Sequence, residues 1–200
     1  GLLKKIATSR GILGDIRKEL IAQADRVFSA GIIPIHFDSH KHVHLIPAVL
    51  DIMTDIARRF SVRWIRNPYE TASLRLLSDI EQGRRAHFFK QFAEARASWL
   101  GQPFFRTSIR RAGLRVPDRF LGVSVTGLMN ERVLGRLCGM LRPGINELMT
   151  HPGVLDADLW GCKTRLLQSR QKEKELLTSE HLRELLRRKG VTLCHFGEVN

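Results

Sequence analysis

The stretch Ile32-Ile33-Pro34-Ile35-His36-Phe37-Asp38-Ser39-His40-Lys41-His42-Val43-His44 organises the reading of this 200-residue chain. Its first six residues are a short apolar run of the kind found in a buried strand. The run empties directly into a segment holding His36, His40, His42 and His44, half of the eight histidines in the protein. Neutral imidazole is a common ligand of zinc and other divalent metals. Crowding four such rings at a strand end, with Asp38 and Ser39 between them, points to a metal or catalytic site. His40 and His44 stand four apart, so one helical turn places both on one face. Spacing alone leaves the choice between them open. Asp38 is suited to orient a histidine from behind.

Working outward, Ile12, Ile16, Leu20, Ala24, Val27 and Phe28 recur at helical spacing, and Gly31 stops the pattern. Downstream, Pro47 suits a first helical turn, and Val49, Leu50, Met53, Ile56, Ala57 and Phe60 form an apolar face. Residues 62–66 read as a second strand, 78–100 as a long amphipathic helix and 101–119 as an Arg-rich irregular excursion. A third strand is expected over 120–125, and Val133, Leu134, Leu137 and Leu141 mark a helix closed by Pro143-Gly144. Ile145 to Thr150 reads as a fourth strand, residues 163–177 and 179–189 as helices, and 191–194 as a last short strand. Strand and helix alternate, which predicts a parallel α/β sheet or barrel with active residues at the C-terminal ends of the strands.

A second segment, Glu147-Leu148-Met149-Thr150-His151-Pro152-Gly153, repeats the arrangement. His151 follows a strand and is held by a Pro-Gly turn, a placement suited to a general acid or base. Arg66 ends the second strand and is a candidate partner for an active-site carboxylate. His87 and His195 lack supporting context. Phe88, Phe89 and Phe92 read as core, and Glu173 and Glu175 as members of helix-face ion pairs. No Gly-x-Ser-x-Gly or phosphate-binding glycine loop occurs.

The net charge is +13 at pH 7. Such a surface attracts anionic substrates, lipid headgroups or nucleic acid, but no basic–aromatic interleaving resembles an RNA-binding motif. Arg106, Arg110, Arg111, Arg115 and Arg119 form the densest basic stretch, and this excursion is expected to tune substrate preference. Cys138, Cys162 and Cys194 are widely separated and read as reduced cytoplasmic thiols. No transmembrane run or signal peptide is legible. The chain opens on Gly1 rather than methionine, and a native segment is expected upstream.

The segment His36-x-Asp-Ser-His-x-His-x-His44 followed by Pro47 resembles the signature of YdjC-like carbohydrate deacetylases, which include chitooligosaccharide deacetylases and hopanoid-biosynthesis proteins. The His-Pro-Gly segment resembles a second block of that family. Between them, Arg66-x-Pro-x-Glu70, Pro117-Asp118-x-Phe120-x-Gly122 and Thr126-Gly127 fall in the family's order, so the resemblance runs from about residue 11 to the end. It implies one domain over 1–200, an irregular (β/α) barrel of the polysaccharide-deacetylase-like superfamily with its N-terminal strands missing. It also implies amide hydrolysis of an N-acetylglucosamine-type saccharide with magnesium or zinc, His40 being the metal ligand and His151 the proton donor. Asp38, His44 and Arg66 are expected to touch substrate or support the metal ligand.

The family's Asp-Asp-Phe-Gly and Gly-Leu-His blocks, which carry its other ligands and its base, do not occur in this chain. Weak metal binding and no measurable deacetylation are therefore expected of the 200 residues by themselves. The competing readings are a catalytically dead saccharide- or partner-binding remnant and, on charge alone, a nucleic-acid-binding module. The expected partner is an amino sugar or oligosaccharide, anionic or neutral, with no specific nucleic acid. A homodimer is compatible with the sequence, which does not by itself define the oligomeric state.

Overall fold

A computed structural model describes Ile6, residues 11–71 and residues 73–199. The opening Gly1–Lys5 stretch lies outside the described residues. Two compact units share the chain: residues 1–68, 98–116 and 195–200 form the first, and residues 69–97 and 117–194 the second.

In the first unit, helix α1 (Ile12–Ser29) is followed by Gly31 at φ 78°. That left-handed conformation suits glycine and ends the helix there. Strand β1 (His36–Phe37) pairs in parallel with β2 (Trp64–Ile65), His36 opposite Trp64 and Phe37 opposite Ile65. An isolated parallel bridge joins Trp64 to Arg115. Helix α2 (Pro47–Arg59) links the strands, with Pro47 in its first turn. Its buried apolar face is Val49, Leu50, Ile52, Met53, Ile56 and Ala57, the periodic set expected with Ile52 added, while Phe60 falls at the C-cap and is only half-buried. Each large member stabilises by about 1.5–3 kcal/mol on leaving water. Helix α2 packs against α1 on one side and against α4 (Gln102–Ala112) on another.

Helix α4 corrects the expected irregular excursion over 101–119. Pro103 falls in the first turn, where its missing N–H costs nothing, and Gly113 at φ 67° terminates it. Phe105 and Ile109, four apart, bury one face, leaving Arg106, Arg110 and Arg111 exposed. Arginine-rich composition masked an ordinary amphipathic helix.

In the second unit, helix α3 (Arg85–Ser98) precedes β3 (Arg119–Leu121), which pairs in parallel with β4 (Asn146–Leu148). Helix α5 (Glu131–Gly139) joins them, capped by Asn130, whose side chain accepts from the Val133 N–H at 2.9 Å. Short helix α6 (Ala157–Gly161), α7 (Gln168–Leu177) and α8 (Glu180–Arg188) follow. The core gathers Phe88, Leu121, Val125, Val133, Leu137 and Leu182. Phe88 is fully buried and Phe92 packs on that core, whereas Phe89 is exposed. Residues 191–194 form no strand.

Glu70 is the buried polar anchor of this unit. It bridges to Phe120 in parallel, and its carboxylate accepts from the Gly122 N–H at 2.6 Å and the Ser124 N–H at 2.8 Å. Burial raises its pKa against these hydrogen bonds, which lower it. Gly122 has φ 114°, and a Cβ there would lie 2.4 Å from the Met149 carbonyl oxygen, so only glycine fits. The parallel α/β character expected is present. The strands form two separate parallel pairs, and no barrel closure is seen among the described residues. No helix among the described residues is long and apolar enough to cross a membrane.

Candidate metal site in the histidine-rich segment

The parallel register of β1 and β2 sets the first contact of the site. Continuing it one residue places Asp38 opposite Arg66, and the two form an ion pair. Arg66 also donates its backbone N–H to the Phe37 carbonyl at 3.0 Å. The other Asp38 oxygen accepts from the Ser39 N–H at 2.7 Å. The carboxylate is thus fixed from two sides.

Past Asp38 the chain neither extends nor forms a regular helical turn. Residues His40–Leu45 are a tight 3₁₀ segment broken by two consecutive left-handed residues, Lys41 (φ 53°, ψ 31°) and His42 (φ 53°, ψ 39°). For residues with a Cβ this conformation costs about 1–2 kcal/mol each, and such strain concentrates at functional sites. Its effect is geometric. His42 is swung back beside Asp38, its Nδ1 4.0 Å from an Asp38 oxygen, and its ring meets His44 edge-on at 6.0 Å between centroids.

His44 is fully buried. Ser39 Oγ lies 2.5 Å from its Nδ1 and accepts from the His44 backbone N–H at 3.2 Å. Its Nε2 is buried without a hydrogen-bond partner among the described residues. An orphaned buried nitrogen is costly, and it is the atom a metal would take when Nδ1 carries the proton. Asp38, His42 and His44 each offer a ligand atom, and these atoms all lie within 4.8 Å of one another. Burial lowers the His44 pKa to about 4 against the raising influence of Asp38. Burial likewise lowers His42. Both rings are therefore neutral at pH 7, the form that binds metal.

His36 stacks on Phe196 at 4.1 Å with the rings nearly parallel. Its pKa falls to about 4, through burial first and the Arg66 charge second. His40 opens the 3₁₀ segment, is exposed, and lies outside the Asp38–His42–His44 group. Sequence analysis gave His42 no separate role, since the helical turn that pairs His40 with His44 points it away from both. The left-handed pair, invisible in residue periodicity, reverses that geometry. Ser39 was noted only as a neighbour, yet it holds His44.

In the second unit His151 follows β4, and its backbone is held firmly. Its N–H donates to Glu173 at 2.5 Å, and Arg170 reaches its carbonyl at 3.5 Å. Glu173 is buried, with its pKa raised by that burial and opposed by the His151 hydrogen bond. The expectation of Glu173 as a surface ion-pair member is thus corrected: packing turns it inward as the anchor of the His-Pro-Gly turn. Glu175 is exposed and accepts from Gln171 at 2.8 Å. His87 meets Arg165 at 2.8 Å, and His195 is exposed.

Comparisons with known proteins place the chain in a family. A family model described as YdjC-like protein matches residues 2–188. Carbohydrate deacetylases from Mus musculus and Homo sapiens are 31% and 30% identical over the whole chain, which covers 67% and 64% of their lengths. The carbohydrate deacetylase of Geobacillus stearothermophilus is 29% identical over 92% of this chain and 60% of its own. The chain thus spans about two thirds of these relatives. A crystal structure from Enterococcus faecalis, of a protein provisionally assigned to cellobiose-phosphate cleavage, superposes with a TM-score of 0.67. It is 20% identical and covers 94% of this chain and 61% of that one, a likeness of fold. A match over nearly the whole chain, together with the ordered motifs, establishes that the protein belongs to the YdjC-like family of carbohydrate deacetylases.

Proposed function

We propose that this chain is the metal-binding part of a divalent-metal-dependent carbohydrate deacetylase that hydrolyses the N-acetyl group of N-acetylglucosamine-type saccharides. The observation that carries the reading is the convergence of Asp38, His42 and His44, with the His44 Nε2 buried and without a hydrogen-bond partner among the described residues. One carboxylate and two neutral imidazoles suit zinc, and magnesium less well. In this reading Asp38, His42 and His44 hold the ion, Ser39 fixes the His44 tautomer, and Arg66 orients Asp38. A bound divalent ion would supply Lewis-acid polarisation of the acetyl carbonyl and an acidified water. His151 donates a proton to the departing sugar amine from its Pro-Gly turn, with Glu173 holding the turn by the backbone. His40, the ligand implied by the family resemblance, is the competing candidate for the metal, and its exposure suits the rim of a site open to saccharide. The reading also carries the irregular barrel as the complete fold. A cytoplasmic location is supported by three unbridged cysteines.

Zinc titration of the variants decides the ligand assignment. His44→Ala and His42→Ala are expected to lose stoichiometric zinc, and His40→Ala to keep it. The opposite pattern moves the metal to His40. Acetate release from N-acetylglucosamine oligosaccharides, by a protein of the relatives' full length, tests the reaction. Stoichiometric zinc with saccharide binding but no acetate would favour the binding remnant.

A further inference from the structure

The cationic excess of the chain, which deacetylation leaves unused, concentrates at one place in the second unit. An open cleft of about 700 Å³ is lined by Arg75, Arg119, Arg132, Arg136 and Arg142, against the single carboxylate of Asp79 among the described residues. Asp79 is already engaged. Arg136 grips it with one bidentate edge, donating Nε to Oδ2 and Nη2 to Oδ1, the latter at 3.0 Å. Among the described residues Arg75, Arg119, Arg132 and Arg142 form no ion pair, although the charge of Arg132 also acts on Asp79 from a longer range. Arg142 spends one donor on the Leu141 carbonyl at 3.0 Å. A neighbouring hollow of about 420 Å³ shares Arg75 and Arg136 and adds Arg85, so the basic lining continues past the rim.

The place in the fold matters. Arg119 is the first residue of β3, and Met140 and Arg142 lie just before β4. The cleft therefore opens at the starting ends of these strands, whereas His151 follows the finishing end of β4. It shares no residue with either histidine segment. Two polar atoms in its lining, Arg119 Nε and Thr71 Oγ1, are shielded from solvent and have no hydrogen-bond partner among the described residues. Donors left without water or protein are costly, and five guanidinium groups facing one carboxylate around one concavity repel one another. Both penalties are relieved by an anion. Guanidinium forks match phosphate oxygens in pairs, and a concave wall of one sign focuses the field on such a ligand. The volume falls in the range of small-molecule sites.

We infer that this cleft binds a small phosphate-bearing polyanion at a site separate from the histidine segments. The inference does not depend on the deacetylase reading. The test is calorimetric titration of the whole chain with pyrophosphate at about 0.1 M salt. Saturable one-site binding is expected. The double variant Arg132→Glu/Arg142→Glu, both exposed positions, should weaken it at least tenfold. Arg110→Glu/Arg111→Glu makes the same charge change on the exposed face of α4 and should leave the affinity within about twofold. If circular dichroism shows the first variant unfolded, Arg75→Gln replaces it, with an expected loss of about threefold. Displacement of pyrophosphate by glucosamine 6-phosphate identifies a sugar phosphate as the source, and displacement by ATP a nucleotide. Absence of saturable binding would overturn the site. So would equal loss in both charge-reversal variants, or length-dependent single-stranded DNA binding that pyrophosphate cannot displace.

Discussion

The two histidine-bearing segments look alike in sequence and differ in construction. Both follow a short parallel strand, and both carry turn-forming residues. In the first, rings converge: His42 and His44 meet, Asp38 closes the group, and Ser39 holds His44 by its ring and its backbone. In the second, the backbone is held, by Glu173 on the His151 N–H and Arg170 on its carbonyl, and no second histidine stands beside it in the sequence. Converging neutral rings suit a cation. A backbone-anchored single histidine suits a group that must reach a substrate and exchange a proton. The difference teaches that two segments alike in residue order can be built differently around their histidines.

The largest expected effect separates the segments by metal. His44→Ala should weaken zinc binding by more than about a hundredfold, exceeding the loss typical of supporting residues, while His151→Ala leaves the zinc isotherm unchanged. Equal losses would erase the contrast. Turnover separates them in the other direction. In a full-length enzyme His151→Ala should lower kcat by about a hundredfold or more, the contribution of a positioned acid, with metal content intact by elemental analysis. Loss of metal in that variant would make His151 a ligand.

The supporting residues sharpen the comparison at smaller scale. Ser39→Ala should cost about tenfold in zinc affinity, because the His44 ring loses the partner that sets its tautomer. An unchanged isotherm would show that burial by itself orients the ring. Glu173→Ala should cost about 1–3 kcal/mol of stability by stranding the His151 N–H, read by denaturant unfolding, with zinc affinity unaffected.

The smallest effect is in pH. Burial raises the Glu173 carboxyl above its ordinary value of 4.5. Between the two values the folded state holds more protons than the unfolded one, so this group makes stability fall as pH rises through that window. Glu173→Gln keeps an acceptor for His151 and should remove that slope. A slope identical to the parent's would assign it to another buried group such as Glu70.

Much of the frame was legible in local pattern. Helices α1, α2 and α5 announced themselves by apolar spacing of 3.6, with Gly31 and Pro47 as punctuation, because one buried face is a property of consecutive residues. The run of four histidines after an apolar strand located the candidate site, and the ordered motifs indicated the family. Helix α4 was missed because charge at exposed positions hid Phe105 and Ile109. Which histidines converge was not legible, since it rests on the left-handed φ of Lys41 and His42, conformations that neither residue prefers. The Asp38–Arg66 pair depends on a strand register between segments 28 residues apart. Glu173 was read as a surface residue because the sequence shows its lysine neighbours and not the turn it packs against. Residue order by itself therefore determined the helices, the strand ends and the chemistry available at them. Tertiary structure decided which side chains meet, because backbone strain at single residues and pairing between distant strands are stabilised only by the packing around them.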